Sequence, residues 1–380
     1  MAFSLFQGVK LGILGGGQLG RMLIQSSLDF NLDIAILDPD PQAPCARISS
    51  NFTNGSLKDY TDVYEFGKQC DVITVEIENV NTEALRQLEL EGKKVFPQPR
   101  VIELIQDKRV QKQFYQDNNI PTSPFILTQD RNEVMRHADF LPAVHKLGKE
   151  GYDGRGVQML RQVEDLSKAF DKPGVLEKLI DFETEISVIV ARNEDGQVRT
   201  FPAVELIYHP EANLVEYLFA PANISEAVAK KADDIARDVI TKLDMVGLLA
   251  VEMFATKSGD VLVNEVAPRP HNSGHQTIEA NQTSQYEQHL RAILNTPLGS
   301  TEALQPSAMV NLLGEEGFEG MAKYEGTDEV MAVDGAHVHL YGKSYTKPFR
   351  KMGHVTIVDA DLERLKEKAT YIKNTLKIKA

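Results

Sequence analysis

Two glutamates, Glu252 and Glu265, interrupt otherwise apolar runs, Leu248 to Phe254 and Val261 to Val266, on either side of Thr256-Lys257-Ser258-Gly259-Asp260. The residues between the runs have hairpin-turn character. With Ser258-Gly259 as a two-residue loop, Lys257 pairs with Asp260, and counting outward sets Glu252 opposite Glu265. Directly opposed side chains in a sheet lie about 5 Å apart, where like charges repel. Such a pair calls for a cation, and Mg²⁺ (or Mn²⁺) shared with substrate phosphates suits hard oxygen ligands. A three-residue loop would send the two glutamates to opposite faces and leave an ordinary solvent-facing carboxylate. Arg269-Pro270-His271-Asn272-Ser273-Gly274-His275 follows directly and overhangs the pair. Its side chains can donate to an anion on which charge is developing. Histidines taken singly are more often structural, so His271 and His275 draw their meaning from this neighbourhood.

Other candidates lie far off in sequence. Gly148, Gly151, Gly154 and Gly156 fall among Lys149, Tyr152, Asp153 and Arg155, a glycine density that suits either a loop closing over a ligand or a plain surface loop. Lys146 ends the preceding apolar strand and can reach a phosphate. Glu76 and Glu78 share a face at the carboxyl end of a buried strand, where open parallel sheets bind ligands. Gly15-Gly16-Gly17-Gln18-Leu19-Gly20 fits GxGxxG, with Asp38 closing the next strand. Taken alone that turn fits a dinucleotide fingerprint, but a lone GxGxxG is a weak signal and more often marks merely a tight strand-to-helix turn. Lys343 to Lys351 carries four positive charges and no acid, either a solvated basic face or an anion contact.

The elements that must position these residues follow from apolar periodicity. Strands are expected at Val9 to Leu14, Ile34 to Leu37 and Val72 to Val75, with helices at Gln18 to Leu28 and Asp62 to Gln69, which makes a βαβ unit with a buried parallel sheet. One helix is expected from Val101 through Asn118, stopped by Pro121 and Pro124. Mixed α+β follows, with strands near Val157, Val175 and Ile186, then a helix from Ser225 to Leu243 with Ser225 as N-cap, then the two glutamate strands. The last stretch holds strands at Met309 to Leu313, Ala336 to Tyr341 and His354 to Val358, and a helix from Asp361. The expected units are 1–98, 99–300 with a smaller lid at about 120–178, and 301–380.

Composition narrows the classes of function. The chain has 380 residues and 55 acidic against 41 basic side chains, a net charge of −14, which argues against nucleic-acid binding, where Lys and Arg must neutralise a phosphate backbone. Small anions need only a local positive pocket. Cys45 and Cys70 cannot make a disulfide framework, so a reducing, cytoplasmic setting is expected. No apolar run approaches the ~20 residues of a membrane span, and the first residues lack the basic stretch of a signal peptide.

Together the motifs resemble those of the ATP-grasp ligases, and among them the N5-carboxyaminoimidazole ribonucleotide synthase family of purine biosynthesis. The carriers are Gly16 to Met22, Glu76-Ile77-Glu78-Asn79, Asp107-Lys108, Gly151-Tyr152-Asp153-Gly154-Arg155-Gly156, Asn264-Glu265, Ala267-Pro268-Arg269, His271 to His275, Lys343 and Arg350 to His354. The resemblance implies an ATP-grasp fold with an N-terminal Rossmann-like pre-ATP-grasp domain and a small β-rich C-terminal segment. It implies carboxylation of 5-aminoimidazole ribonucleotide by ATP and bicarbonate through carboxyphosphate, without NAD or biotin, in a cytoplasmic homodimer. By the same likeness, Lys108, Lys146, Tyr152, Asp153 and Asn264 would contact ATP, with Glu177, Lys178, Leu179 and Ile180 as the adenine hinge and Glu185 on the ribose. Glu252 and Glu265 would hold the metal. Arg269, His271 and Lys343 would grip bicarbonate and carboxyphosphate. Gly17, Gln18, Leu19, Glu76, Tyr152, Asp153, Arg155, Arg269, His271, Asn272, Ser273, His275, Lys343, Arg350 and Lys351 would surround the ribonucleotide, its phosphate partly at the glycine turn, with Arg350 and Lys351 both open as the contact. Three other readings stay in view: a different acceptor on the same fold, a nicotinamide oxidoreductase, and a non-catalytic nucleotide-binding module.

Overall fold

A computed structural model describes residues 8–149, 151, 156–209 and 214–380. The apolar runs near the N-terminus stack as parallel strands: Lys10–Leu14 lies at the centre, flanked on one side by Asp33–Asp38 and Asn51–Asn54 and on the other by Val72–Val75 and Lys94–Val95. Alternate residues of these strands enter two separate buried clusters, one under the helix Gln18–Leu28 and one under Tyr60–Lys68 and Thr82–Leu90, so both faces of the sheet are covered. Strand order reverses between Lys10–Leu14 and Val72–Val75. The crevice beyond their carboxyl ends therefore receives both the glycine turn and Glu76.

The single helix expected from Val101 to Asn118 is two helices. Pro99–Gln106 ends at Asp107, which turns to an extended φ of −122° and ψ of 108° and caps Lys108–Asp117 by accepting from the Arg109 N–H at 3.0 Å. A side chain that bonds its own downstream backbone competes with helix continuation. The break aims Lys108 out of the helix start. It also braces the glycine-rich loop, because the Lys108 N–H donates to the Gly148 carbonyl at 2.7 Å.

Four antiparallel strands, in the order Phe125–Thr128, Gly174–Lys178, Ala143–Leu147 and Val157–Leu160, form a small separate sheet within the stretch expected as a lid. A nine-stranded antiparallel sheet dominates the rest. It runs Val261–Ala267, Gly247–Thr256, Phe182–Arg192, Val204–Tyr208, Val215–Ala220, Ser307–Leu313, Lys351–Val358 and Ala336–Leu340, with Val198–Thr200 paired onto Phe182–Arg192. The C-terminal strands thus extend the central sheet, joined through Val215–Ala220 and Ser307–Leu313. The helix Glu226–Lys242, capped by Ser225, covers the hairpin end, and Leu362–Thr375 covers the C-terminal end.

The hairpin reaches the expected pairing by an unexpected route. Ala255 pairs with Val261, Phe254 with Leu262 and Met253 with Val263, a register set by the three-residue loop Lys257-Ser258-Gly259 with Gly259 at φ +79°. Continued unbroken, that register would put Asn264 opposite Glu252. A bulge beyond Met253 shifts it, and Glu252 faces Glu265 after all. The extra residue is Asn264, so two successive side chains are presented where a regular strand would offer one.

Candidate functional site

Both products of the bulge are engaged. Lys108 Nζ lies 2.5 Å from Glu265 Oε2, and Lys146 Nζ donates to Asn264 Oδ1 at 2.7 Å. Lys146 also lies 3.2 Å from Glu177 Oε1 on the lid strand. The Glu265 side chain is 44% exposed to the cleft while that of Glu252 is 13% exposed. Lys108 holds the Glu265 carboxyl below its ordinary range. Burial, then the charge of Glu265, pushes Glu252 above it. This donor set fits Mg²⁺, which takes one or two carboxylates and completes its shell with phosphate oxygens and water.

The overhanging segment closes the other wall. Glu78 Oε2 accepts from Arg269 Nε at 2.6 Å and Oε1 from Nη2 at 3.3 Å, so the guanidinium is clamped across the domain boundary. Burial opposes the charge on Glu78, yet Arg269 outweighs it and the carboxyl stays below its ordinary range. His271 Nε2 faces Glu252 at 3.7 Å. Its Nδ1 accepts from the Ser273 N–H at 3.3 Å and lies 2.9 Å from Ser273 Oγ, which meets Ser187 Oγ at 2.8 Å. An Nδ1 that accepts from a backbone amide leaves the proton on Nε2. Burial, with Arg269 adding to it, drops the ring to about 3. His271 is therefore a neutral donor aimed at the cleft, suited to holding an anion.

At the crevice of the parallel sheet the glycine turn is already partly spoken for. Asp38 Oδ2 accepts from the Gly16 N–H at 2.6 Å, and Glu76 Oε1 from the Leu19 N–H at 3.2 Å. A Cβ on Gly17 would stand 2.4 Å from Glu76 Oε1, so a larger residue there would displace the Glu76 carboxylate. These carboxylates occupy amides that a dinucleotide pyrophosphate or the ribonucleotide phosphate would use. Burial raises Glu76 to about 7, with Arg269 and Lys343 pulling the other way. Gln18 opens the helix beside it, half-buried.

Several of the expected contacts, the backbone hinge 177–180 among them, have partners within the protein. Lys178 Nζ donates to the carbonyls of Phe140 and Leu141 at 3.1 and 2.9 Å, and the N–H groups of Lys178 and Leu179 donate to Pro124 and Pro142. The side chain of Lys178 thus braces the lid, and Ile180 continues the same connection. Arg350 Nη1 donates to the Tyr345 carbonyl at 2.7 Å, on the side of Tyr324. Lys351 instead lies near enough to Glu252 and His271 to act on both, which separates the two basic candidates. Lys343 donates to the Lys351 carbonyl at 2.7 Å. His275 is buried, 3.1 Å from Tyr286 Oη and stacked on His354 at 4.6 Å. Asn272 exchanges amide hydrogen bonds of 2.9 Å with Asn311. Tyr152, Asp153 and Arg155 lie outside the described residues.

Sequence reasoning passed over three side chains. Lys112 is buried 2.9 Å from Glu177 Oε2, Tyr208 hydrogen-bonds Glu185, and Ser187 backs Ser273. Lys112 alone left a sequence signal, following Lys108 by one helical turn. Glu78, singled out with Glu76 as a ligand-side carboxylate, instead clamps Arg269.

Known proteins match along nearly the whole chain. The Ribonucleotide synthetase preATP-grasp domain covers residues 9–106, the ATP-grasp domain 113–286 and the Phosphoribosylaminoimidazole carboxylase C-terminal domain 307–368. The N5-carboxyaminoimidazole ribonucleotide synthase of Bacillus subtilis is 36% identical, across 93% of this chain and 92% of its own. The chain spans 65% of a longer relative, the chloroplastic phosphoribosylaminoimidazole carboxylase of Vigna aconitifolia, at 38% identity. The N5-carboxyaminoimidazole ribonucleotide synthetase of Thermotoga maritima superposes with a TM-score of 0.90 at 42% identity, covering 98% of this chain and 99% of its own. An Aspergillus clavatus synthase solved with ADP and 5-aminoimidazole ribonucleotide gives 0.87 at 32% identity, covering 97% and 99%.

Proposed function

The chain belongs to the N5-carboxyaminoimidazole ribonucleotide synthase family of ATP-grasp ligases, and from that premise we propose that its cleft carboxylates 5-aminoimidazole ribonucleotide using ATP and bicarbonate. One observation carries the reading most: the Glu252–Glu265 pair, with Lys108 on Glu265 and Lys146 on the neighbouring Asn264, lies against the neutral His271, 3.7 Å from Glu252, with Arg269 clamped by Glu78 two residues before it.

Bicarbonate is a poor electrophile. A bicarbonate oxygen attacks the γ-phosphorus of ATP, the bond to the β-phosphate oxygen breaks, and carboxyphosphate and ADP result. The exocyclic amine of the ribonucleotide then attacks the carboxyl carbon, the C–O bond to phosphate breaks, and inorganic phosphate leaves as the amine gives up its proton. Such transfers ask the protein for placement and charge neutralisation rather than a covalent nucleophile. Lys108 and Lys146 meet the ATP phosphates, with Asn264 beside them, and Glu185 holds the ribose. Glu252 and Glu265 would hold Mg²⁺ (or Mn²⁺), which when bound neutralises phosphate charge. Arg269, His271 and Lys343 receive bicarbonate and then carboxyphosphate as donors. Lys351, Gln18 and Glu76 face the ribonucleotide, with Glu76 withdrawing from the Leu19 N–H where the phosphate needs that amide. Excluding the water that would destroy carboxyphosphate is the role read for the glycine-rich stretch 148–156, of which 150 and 152–155 lie outside the described residues.

We read three units, 1–98, 99–300 with a lid at about 120–178, and 301–380, in a cytoplasmic homodimer. Among the described residues no helix is long and apolar enough to cross a membrane. The decisive assay is ADP release across a panel of acceptor amines. Release dependent on both bicarbonate and 5-aminoimidazole ribonucleotide is expected, and turnover indifferent to either overturns the reading. Sedimentation velocity checks the dimer.

A further inference from the structure

We propose that Lys112, which the mechanism above does not use, is a positioning residue for ATP: it holds Glu177 so that Lys146 can leave that carboxylate for the nucleotide phosphates. The inference rests on the reading of Lys146 as a phosphate contact. Lys108 and Lys112 stand one turn apart on the helix Lys108–Asp117, and each reaches a glutamate of a different sheet, Glu265 on the central hairpin and Glu177 on the lid. Lys112 Nζ also donates to Thr122 Oγ1 at 2.7 Å, and Thr122 Oγ1 donates to the Val263 carbonyl at 2.6 Å. One ammonium thus ties the helix, the lid strand and the strand bearing Asn264 and Glu265 together.

Glu177 is 3% exposed and has two cationic neighbours, Lys112 and Lys146. Lys146 also reaches Asn264 of the glutamate hairpin and its side chain is 11% exposed, whereas that of Lys112 is 2% exposed. A carboxylate stranded without a cation in such a place is costly. If Lys146 were the sole partner of Glu177, each ATP would have to compete with a buried glutamate for it. Lys112 removes the conflict by remaining when Lys146 turns. Burial lowers Lys112 to about 8 against the pull of Glu177, while its two lysines outweigh burial at Glu177 and keep it ionised, so both ends are charged at neutral pH.

The test is steady-state kinetics on the full chain. Lys112→Met is expected to raise the KM for ATP about tenfold, with kcat and the KM values for bicarbonate and 5-aminoimidazole ribonucleotide within about twofold. Adding Glu177→Gln, which removes the charge that needs holding, should bring the ATP KM back to that of Glu177→Gln alone. An unchanged ATP KM, all three KM values rising together, or no recovery in the double variant overturns the proposal. Should Lys112→Met fail to fold, the double variant carries the test, and an ATP KM well above that of Glu177→Gln alone overturns it. Lys146→Met separates the two levels. If it leaves the ATP KM unchanged, the phosphate assignment itself fails; if only Lys112→Met is silent, the positioning role alone is lost.

Discussion

The segment Arg269 to His275 feeds two buried polar clusters of opposite character. At its start, Arg269 and His271 face a cleft of charged groups: Glu78, Glu252, Glu265, Lys108 and Lys146. At its end, His275 enters a stack with His354 and His339, the rings 4.6 and 4.4 Å apart, sealed by Tyr286 and Tyr341 and ended by Glu279 on His339 Nε2 at 2.7 Å. Burial drives His275 and His354 well below their ordinary value, so both rings stay neutral. A histidine can relinquish its charge and pack. The cleft carboxylates cannot all do so, because lysines and an arginine stand against them, and that leaves a demand a ligand can meet. Residue type does not separate a site from a core here; the ability to neutralise does.

The largest expected effect lies on the cleft side. Glu265→Gln should lower the rate of ADP release on the order of 10³-fold while leaving the circular-dichroism melt of the protein nearly unmoved. A loss under tenfold would erase the distinction between the clusters. Next, His271→Ala should cost about 10²-fold in kcat/KM, as for loss of one preorganised donor. His275→Phe, by contrast, should keep kcat within about threefold. Equal losses would mean that the stack takes part in turnover.

Acid should sharpen the contrast further. His145, His271 and His289 are lowered to about 4, 3 and 3, and His275 and His354 fall well below their ordinary value. Unfolded rings titrate near 6.5, so below that pH the unfolded chain binds protons that the native chain refuses, and stability falls as pH drops from 7 to 5. Glu76, at about 7, and Glu252 work in the opposite sense, since the native state holds protons there that the unfolded state has shed. Urea titrations at pH 7.0 and 5.5 should show His275→Phe reducing the stability lost between those two pH values by about 1.3 kcal/mol, the share of one ring that titrates near 6.5 only when unfolded. An unchanged loss would mean that His275 is protonated in the native protein. The smallest effect is the pH 7 cost of that same variant, about 1–2 kcal/mol for the lost bonds to Gln285 and Tyr286, read from the urea midpoint.

Much of this was legible in the chain itself. Apolar runs located the helix Gln18–Leu28 and the strand Val72–Val75 at their observed limits, because a sheet buried on both faces permits little else. The Glu252–Glu265 pairing was also foreseen, though the loop behind it was one residue longer and a bulge made up the difference. Bulges leave no periodic trace, and neither does the break at Asp107, which depends on one carboxylate choosing its own backbone over the helix. Lys112 shares a helix face with Lys108, one turn on, but nothing in the sequence announces its burial, which comes from a lid strand some sixty residues away. His275 looked like a ligand because it shares a string with His271, and only the partners of each ring tell them apart.

The unbroken sheet has one more consequence. Val215–Ala220 is an interior strand only because Ser307–Leu313 lies against it. A chain cut near residue 300 would expose the backbone N–H and C=O groups of Val215–Ala220 along an open rim ready to recruit another chain. Fragments ending there should self-associate rather than persist as a free nucleotide-binding half, so the last eighty residues act as the sheet's closure against aggregation as much as a wall of its cleft.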